Sequence, residues 1–244
     1  MIDLSIVIPA HNEEVVIEQT VRDLALRITR EGIVNEIVVV NDNSTDQTDV
    51  ILEQLRQKIK NLKVVDNPPP YGFGFAVRRG IEETGGKHIA IMMADASDDP
   101  EDLIRFFRKA EEEGVDAVFG NRFSKGGEVF DYPWLKLILN RLTNWLIAGL
   151  FVIRYTDTTN AFKLYRRETL EGLKPFMSQH FNLTVELPLK VIVRGYSYAV
   201  LPNRWTNRKA GGSKLKIKEM GSRYWFIILY CLIEKWLSVG DYRK

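Results

Sequence analysis

HIAIMMADASDDPEDLIRFFRKA, residues 88–110, holds the unit that decides the fold. A short β-rich run at 88–93 reads as a strand, and the acidic turn at 94–99 follows it. Asp99 is placed as a helix N-cap, with Pro100 at the first helical position. Leu103, Phe106, Phe107 and Ala110 then repeat at helical spacing.

The same unit recurs upstream. Short β-rich runs at 5–8, 36–40, 62–65 and 116–119 join the one at 88–93. Between them Ile17, Val21, Leu24 and Ile28 mark one helical face. Ser44 with Gln47 has the spacing of a capping box, before a helix that buries Ile51, Leu55 and Ile59. A third helix begins after Gly74 and carries Val77 and Ile81. Strand and helix alternating through short connections predict an α/β fold, a mostly parallel sheet with helices on both faces. Ligands of such sheets bind beyond the carboxyl ends of the strands. That rule selects the loops at 9–14, 41–46, 68–74 and 94–100.

Past residue 122 the pattern changes. A Gly-rich turn at 125–128 precedes a long amphipathic stretch at 134–153. A β-like run at 161–165, a helix at 183–193 and a strand at 197–201 follow. Residues 204–223 hold seven basic side chains against one acidic, Glu219. A catalytic domain over 1–220 is expected, with a C-terminal amphipathic helix over 221–244.

Composition excludes several classes. The 244 residues are 45% hydrophobic and 27% charged, which is globular, not disordered. A net charge of +2 gives no case for nucleic-acid binding. The single cysteine, Cys231, rules out an internal disulfide and favours a reducing compartment. The first residues lack the basic region of a signal peptide and read as a strand. The apolar runs at 145–153 and 224–233 fall short of the roughly 20 residues a spanning helix needs. The three histidines have no zinc spacing, and no G-x-S-x-G elbow is present.

On chemistry alone, Asp95 at a strand end is suited to hold Mg²⁺ or Mn²⁺ against a diphosphate. Asn41 and Asp42 offer hydrogen bonds to a base or ribose. The glycines Gly72 and Gly74 permit close backbone approach at a helix start. Arg208, Gly211, Gly212, Ser213 and Lys214 form a cationic hinge able to close over phosphates. Each of these taken singly also reads as an ordinary loop.

Together, and in order, they resemble a family. Ile8-Pro9-Ala10-His11-Asn12-Glu13, Asn41-Asp42-Asn43-Ser44, Gly72-Phe73-Gly74, Ala94-Asp95, Gly120-Asn121-Arg122, Asp157-Thr158-Thr159-Asn160-Ala161-Phe162-Lys163 and the 208–214 segment look like the inverting family 2 glycosyltransferases of GT-A fold. Within them the chain is most similar to the dolichol- and polyprenyl-phosphate sugar synthases.

The resemblance implies that Pro9, Ala10, Asn12, Glu13, Asn41, Asp42, Gly74, Ala94 and Asp95 bind the nucleotide, with Asp95 on the metal. It implies that Arg122, Lys136 and Ser213 meet an acceptor phosphate, and that Asp95, Arg122, Arg208 and Lys214 serve catalysis. Met93 stands where the family's first metal-motif aspartate is usual, Ser97 and Asp98 also depart from the motif, Asn41 replaces a frequent aspartate, and Asn160 a usual glycine.

The expected donor is a nucleotide-diphosphate sugar, GDP-mannose or a UDP-hexose, and the expected acceptor a polyprenyl or dolichyl phosphate. The expected place is the cytoplasmic face of a membrane, peripheral and without a spanning helix. The tryptophan-bearing stretch at 134–153 and the stretch at 224–237 would lie in the interface plane; packing in a core or a homo-oligomer is the alternative. A sugar-hydroxyl acceptor would instead need a base, for which Glu186 is the candidate. A catalytically inactive binding subunit has only Met93 in its favour.

Overall fold

The computed structural model describes residues 1–207, 217–238 and 241, with side chains in the last helix described from 221 onward. The chain runs β1 (Leu4–Ala10), α1 (Ile17–Arg30), β2 (Asn35–Asn41), α2 (Thr48–Lys58), β3 (Leu62–Asp66), α3 (Phe73–Glu82), β4 (His88–Ile91), α4 (Pro100–Glu113) and β5 (Ala117–Asn121). It continues through β6 (Glu128–Phe130), α5 (Trp134–Phe151), β7 (Lys163–Arg166), α6 (Arg167–Gly172), α7 (Leu183–Val193), β8 (Tyr198–Pro202), β9 (Arg204–Thr206) and α8 (Ile217–Leu237).

Seven strands form one sheet in the order β3-β2-β1-β4-β7-β5-β8. Every neighbouring pair is parallel except those made by β7, which runs antiparallel to both β4 and β5. The expected α/β sheet is therefore present, with one reversed strand wedged into it. β1 is buried along its whole length, as a central strand covered on both faces must be. Its Leu4, Ile6 and Ile8 pack with α1 and α4, while Val7 points to the opposite face with Val77 and Ile81 of α3.

Chain order reverses between β1 and β4, and there the crevice for a ligand opens. The Asp99 carboxylate accepts the Glu101 N–H at 2.9 Å and caps α4, with Pro100 following as expected. The capping box expected at Ser44 does not form. α2 starts at Thr48, and the Ser44 hydroxyl instead accepts the Asn12 N–H at 3.0 Å. A contact between two ligand-edge loops takes the group that local spacing assigns to a cap.

α5 and α8 lie together on α7. Ile147 and Phe151 of α5 meet Val185 and Leu189 of α7 and Ile227, Ile228, Cys231 and Leu232 of α8 in a separate apolar core. Each such side chain contributes about 1.5–3 kcal/mol on burial. A buried ion pair, Arg194 to Glu234 at 2.5 Å, fixes α8 further along. Lys235 Nζ also donates to the Phe151 carbonyl at the end of α5, at 2.7 Å. The outward faces stay apolar: Trp134, Ile138, Leu142 and Trp145 on α5 and Trp225, Phe226, Leu229, Ile233 and Trp236 on α8 are exposed. Among the described residues no helix is long and apolar enough to cross a membrane.

Candidate active site

The loops after β1 and β2 are stitched together. The Asn12 amide oxygen accepts the Thr45 N–H at 2.7 Å, and the Glu13 N–H meets the Thr48 hydroxyl at 2.8 Å. His11 Nδ1 lies 2.7 Å from the Asp42 carbonyl, so that nitrogen carries the proton. The Asp42 carboxylate accepts from Asn67 Nδ2 at 2.7 Å and from the Gly72 N–H at 3.0 Å. Gly72 has φ of 144°, and a Cβ there would stand 2.6 Å from the His180 ring, so only glycine fits. Beside these loops lies a cavity of about 550 Å³ whose wall includes Pro9, Ala10, His11, Glu13, Asp42, Asn43, Tyr71, Gly72 and Phe73.

The acidic turn after β4 folds back on itself. Asp95 accepts the Ser97 N–H at 3.2 Å, and Asp98 accepts the Met93 N–H at 3.0 Å, with Ala96 at φ 57° between them. Burial pushes the Asp98 carboxyl up to about 7; the Met93 N–H opposes this and nearby Asp95 adds to it. From the other side, Thr206 N–H donates to the Ser97 carbonyl at 3.0 Å, and Asp98 forms a β-bridge with Trp205. The short β6–β9 ribbon thereby hangs Trp205 over the acidic turn.

A second cavity, about 360 Å³, adjoins the first. Met93, Asp95, Tyr132, Lys136, Phe181 and Trp205 line both. The second also takes in Ser97, Asp98, Arg122, Thr159, Asn160 and Thr184, then Leu139, Asn140 and Thr143 of α5 and Gly221 and Tyr224 of α8. Lys136, Asn140 and Thr143 fall at helical spacing, so one polar line of α5 faces the cavity while its apolar lines face outward or into the core.

Arg122 is buried here. Its Nε and Nη2 bind the two Asp157 oxygens at 2.9 and 2.7 Å, and Phe123, Tyr132 and Trp205 surround the guanidinium at 5.4–5.9 Å. Burial disfavours its charge, but Asp157 outweighs burial and the pKa is raised. Lys163 is buried nearby and donates to the carbonyls of Thr158 and Thr184 at 3.1 and 3.2 Å and to that of Asn160. Burial brings its pKa down to about 7, against the pull of Asp157. Lys136, by contrast, has no hydrogen-bond or ion-pair partner among the described residues.

Of the residues expected at the nucleotide, Pro9, Ala10, Glu13, Asp42 and Asp95 line the first cavity. Four do not line either cavity. Asn41 turns inward, its amide donating to Asp66 at 3.1 Å and accepting the Ser44 N–H at 3.2 Å. Asn12 is a clip between loops. Gly74 is pressed against residues 178–179, where a Cβ would stand 2.6 Å from the Gln179 carbonyl carbon. Ala94 sits in the core, and its carbonyl accepts the Thr20 hydroxyl.

Among the acceptor-side expectations, Arg122 and Lys136 share the second cavity. Arg208, Ser213 and Lys214 lie outside the described residues. Glu186 is fully buried and accepts from Met177 N, Ser178 N and Lys190 Nζ at 2.6–2.7 Å, so it meets no ligand and is not placed to act as a base. Sequence reasoning missed Tyr132, Phe181 and Trp205, which line both cavities from three separate segments. For Asp157, its place at the head of a motif quoted above was the available signal.

Among the described residues no group of three or more histidine, cysteine or acidic side chains converges to cage a metal. The donor chemistry still fits Mg²⁺ or Mn²⁺, because such ions at a diphosphate need only one or two carboxylates, the remainder being phosphate oxygens and water. Asp95, at the wall common to both cavities, supplies a hard oxygen there.

A cavity at the carboxyl edge of a doubly wound sheet, opening into a second chamber across one acidic turn, accords with one class: a glycosyltransferase of GT-A architecture. The Glycosyl transferase family 2 model matches residues 5–174, and the chain belongs to that family.

The chain is 30% identical over 185 residues to polyprenol monophosphomannose synthase of Mycolicibacterium smegmatis, covering 73% of this chain and 69% of that protein. It is 30% identical over 223 residues to dolichol-phosphate mannosyltransferase of Pyrococcus furiosus, covering 88% of this chain and 60% of that longer protein. In fold it is similar to glucosyl-3-phosphoglycerate synthase of Mycobacterium tuberculosis, with TM-score 0.70 and 19% identity over 96% of this chain and 79% of that one. That enzyme was crystallised with Mn²⁺, UDP and glucosyl-3-phosphoglycerate, and also with Mn²⁺, UDP-glucose and phosphoglyceric acid.

Proposed function

We propose that the protein transfers a hexose from a nucleotide-diphosphate sugar to a polyprenyl phosphate at a membrane surface, with inversion at the sugar carbon. One observation carries this reading: the second chamber is walled by the two helices, α5 and α8, whose outer faces are apolar and exposed. A lipid phosphate reaching that chamber would keep its chain against apolar surface. The names of both curated relatives support the acceptor class, and both name mannose as the sugar. GDP-mannose is therefore the first donor to test, with UDP-hexoses beside it.

A phosphate oxygen is ionised at neutral pH, so attack on the anomeric carbon needs no protein base. This agrees with the burial of Glu186. The chain's own groups then orient and neutralise. Asp42 and the 9–13 segment hold the nucleoside. Lys136, on the wall common to both chambers, faces the incoming phosphate with an unspent charge. Arg122, locked by Asp157, gives the second chamber a rigid wall. Asp95 holds the divalent ion, which when bound supplies charge stabilisation to the departing diphosphate. Arg208, Ser213 and Lys214, outside the described residues, are assigned to the phosphates.

The test is to incubate the full chain, Mg²⁺ or Mn²⁺, and vesicles containing polyprenyl phosphate with a panel of labelled nucleotide sugars. The expected product is a lipid-linked hexosyl phosphate identified by mass spectrometry. Transfer to glycan hydroxyls and never to the lipid phosphate overturns the reading.

A further inference from the structure

Two charged side chains that the proposed reaction does not use lie fully buried on α7. Glu186 and Lys190 stand one helical turn apart and are joined at 2.6 Å. Replacing such a pair by apolar residues is often neutral or stabilising, so mutual attraction alone does not account for it. Their other side-chain hydrogen bonds go to the backbone of a single segment. The Glu186 oxygens accept the N–H groups of Met177 and Ser178, one each, at 2.7 and 2.6 Å. Lys190 Nζ donates to the carbonyls of Leu173 and Pro175.

That segment, 173–182, connects α6 to α7 without helix or strand of its own. Irregular backbone inside a packed wall needs hydrogen-bond partners from elsewhere. The Ser178 side chain does not anchor it, since Ser178 is fully buried and its hydroxyl has no hydrogen-bond partner. From the other side α3 meets the same stretch. The Gly74 N–H donates to the Gln179 carbonyl at 3.0 Å, and Arg78 donates to the Ser178 carbonyl.

What the segment carries to the site is the Phe181 ring. It stacks on Phe73 with centroids 4.4 Å apart and planes 17° from parallel. Phe73 lines the first chamber, and Phe181 lines both. A wall common to two ligands has to stand still, because a shift of about 1 Å away from the chemistry can cost about a hundredfold in rate.

We propose that Glu186 is a positioning residue: by gripping the Met177 and Ser178 N–H groups it fixes the 177–181 segment and sets the Phe181 ring on the wall between donor and acceptor. The proposal rests on the reading of the two chambers given above and deepens it. Lys190 neutralises the acid and ties the start of the same segment, so the pair acts as one clamp. Glu186 itself touches neither ligand.

The test is a mutant cycle on the full chain: wild type, Phe181→Ala, a clamp variant carrying Glu186→Gln with Lys190→Met, and the three changes combined. The clamp variant leaves no buried charge alone, yet the new amide nitrogen faces an N–H that a carboxylate oxygen had accepted. Circular dichroism checks folding at the assay temperature. Calorimetry gives the dissociation constant of GDP-mannose or UDP-glucose, whichever the wild type binds. Steady-state kinetics gives kcat/KM for polyprenyl phosphate in vesicles. Phe181→Ala and the clamp variant are each expected to lose about 10- to 100-fold in kcat/KM and to bind donor more weakly. The combined protein is expected to lose no more than Phe181→Ala alone, because both changes remove the same contact.

A folded clamp variant within about twofold of wild type in both measurements overturns the proposal, and so do wild-type values in Phe181→Ala. A combined loss equal to the product of the separate losses overturns it as well, since a residue that only supports the fold gives that result. Should the clamp variant fail to fold, Glu186→Asp takes its place under the same criteria, keeping the charge beside Lys190 but drawing the oxygens back by one methylene. If neither folds, Glu186 serves the fold alone and the proposal falls. A wild type that binds donor but transfers nothing to polyprenyl phosphate sinks only the acceptor reading, and donor affinity then decides on Glu186. A wild type that binds no nucleotide sugar overturns both.

Discussion

Arg122 and Asp157 hold each other through three hydrogen bonds, from the Arg122 backbone N–H, Nε and Nη2, at 2.7–2.9 Å. The pair ties the end of β5 to the segment that leads into β7. Removing the acid would leave a buried guanidinium among aromatic rings without its hydrogen-bonded carboxylate. Asp157→Asn is therefore expected to destabilise the fold by about 3–5 kcal/mol, the usual cost of breaking one partner of a buried pair. Urea unfolding monitored by circular dichroism measures this. A change below about 1 kcal/mol would mean that the pair is not a structural clamp.

Lys136 is the opposite case, a cation with no described partner on the wall between two chambers. Lys136→Ala is expected to leave stability within about 0.5 kcal/mol. It should lower kcat/KM for the lipid phosphate about 10- to 100-fold, the worth of one charge-assisted hydrogen bond. Steady-state kinetics with acceptor varied, beside a thermal melt, separates the two effects. An unchanged kcat/KM removes Lys136 from the acceptor site.

His88 is fully buried at the start of β4, with neither ring nitrogen hydrogen-bonded, and its ring meets Phe107 edge-on. Burial lowers its pKa, helped by Lys87 and Arg166 and opposed by Glu111. The unfolded chain takes up this proton near pH 6.5 and the folded chain only at lower pH. The stability it contributes is thus complete above pH 6.5 and is lost as pH falls through the folded value. Urea midpoints compared at pH 7.5 and pH 5 are expected to drop more in the wild type than in His88→Leu. Equal drops in the two proteins would refute this.

The exposed face of α5 and α8 carries the membrane claim. Added anionic vesicles are expected to blue-shift emission from Trp134, Trp145, Trp225 and Trp236, which are exposed in the free protein. Leu142→Glu with Leu229→Glu, both at exposed positions, should cut vesicle flotation more than tenfold, because each leucine is worth about 1.5–3 kcal/mol when buried in lipid. The fold should be unaffected. Flotation of the double variant equal to wild type would sink the interfacial role.

Much of this architecture is legible in the sequence because it is local. The five apolar runs before residue 122 become β1 to β5, and Asp99-Pro100 starts α4 where the chemistry of a helix start requires. What escapes is whatever depends on contacts distant in sequence. β7 reads as a strand, yet only its neighbours β4 and β5 reveal that it runs backwards.

At the site the same division holds. Asp42 and Asp95 stand at the cavity as expected, but Asn41, adjacent in the chain and alike in chemistry, is turned away by Asp66. The three aromatic residues common to both chambers, Tyr132, Phe181 and Trp205, come from segments that carry no recognisable spacing and meet only in the folded chain.

The shared wall has a thermodynamic consequence. On the proposed reading, a donor that fills the first chamber supplies part of the surface the acceptor will touch, so each ligand's affinity depends on whether the other is present. Linkage then requires the two to change by the same factor. An acceptor titrated into nucleotide-free protein meets a half-built pocket, and its dissociation constant reports that incomplete state.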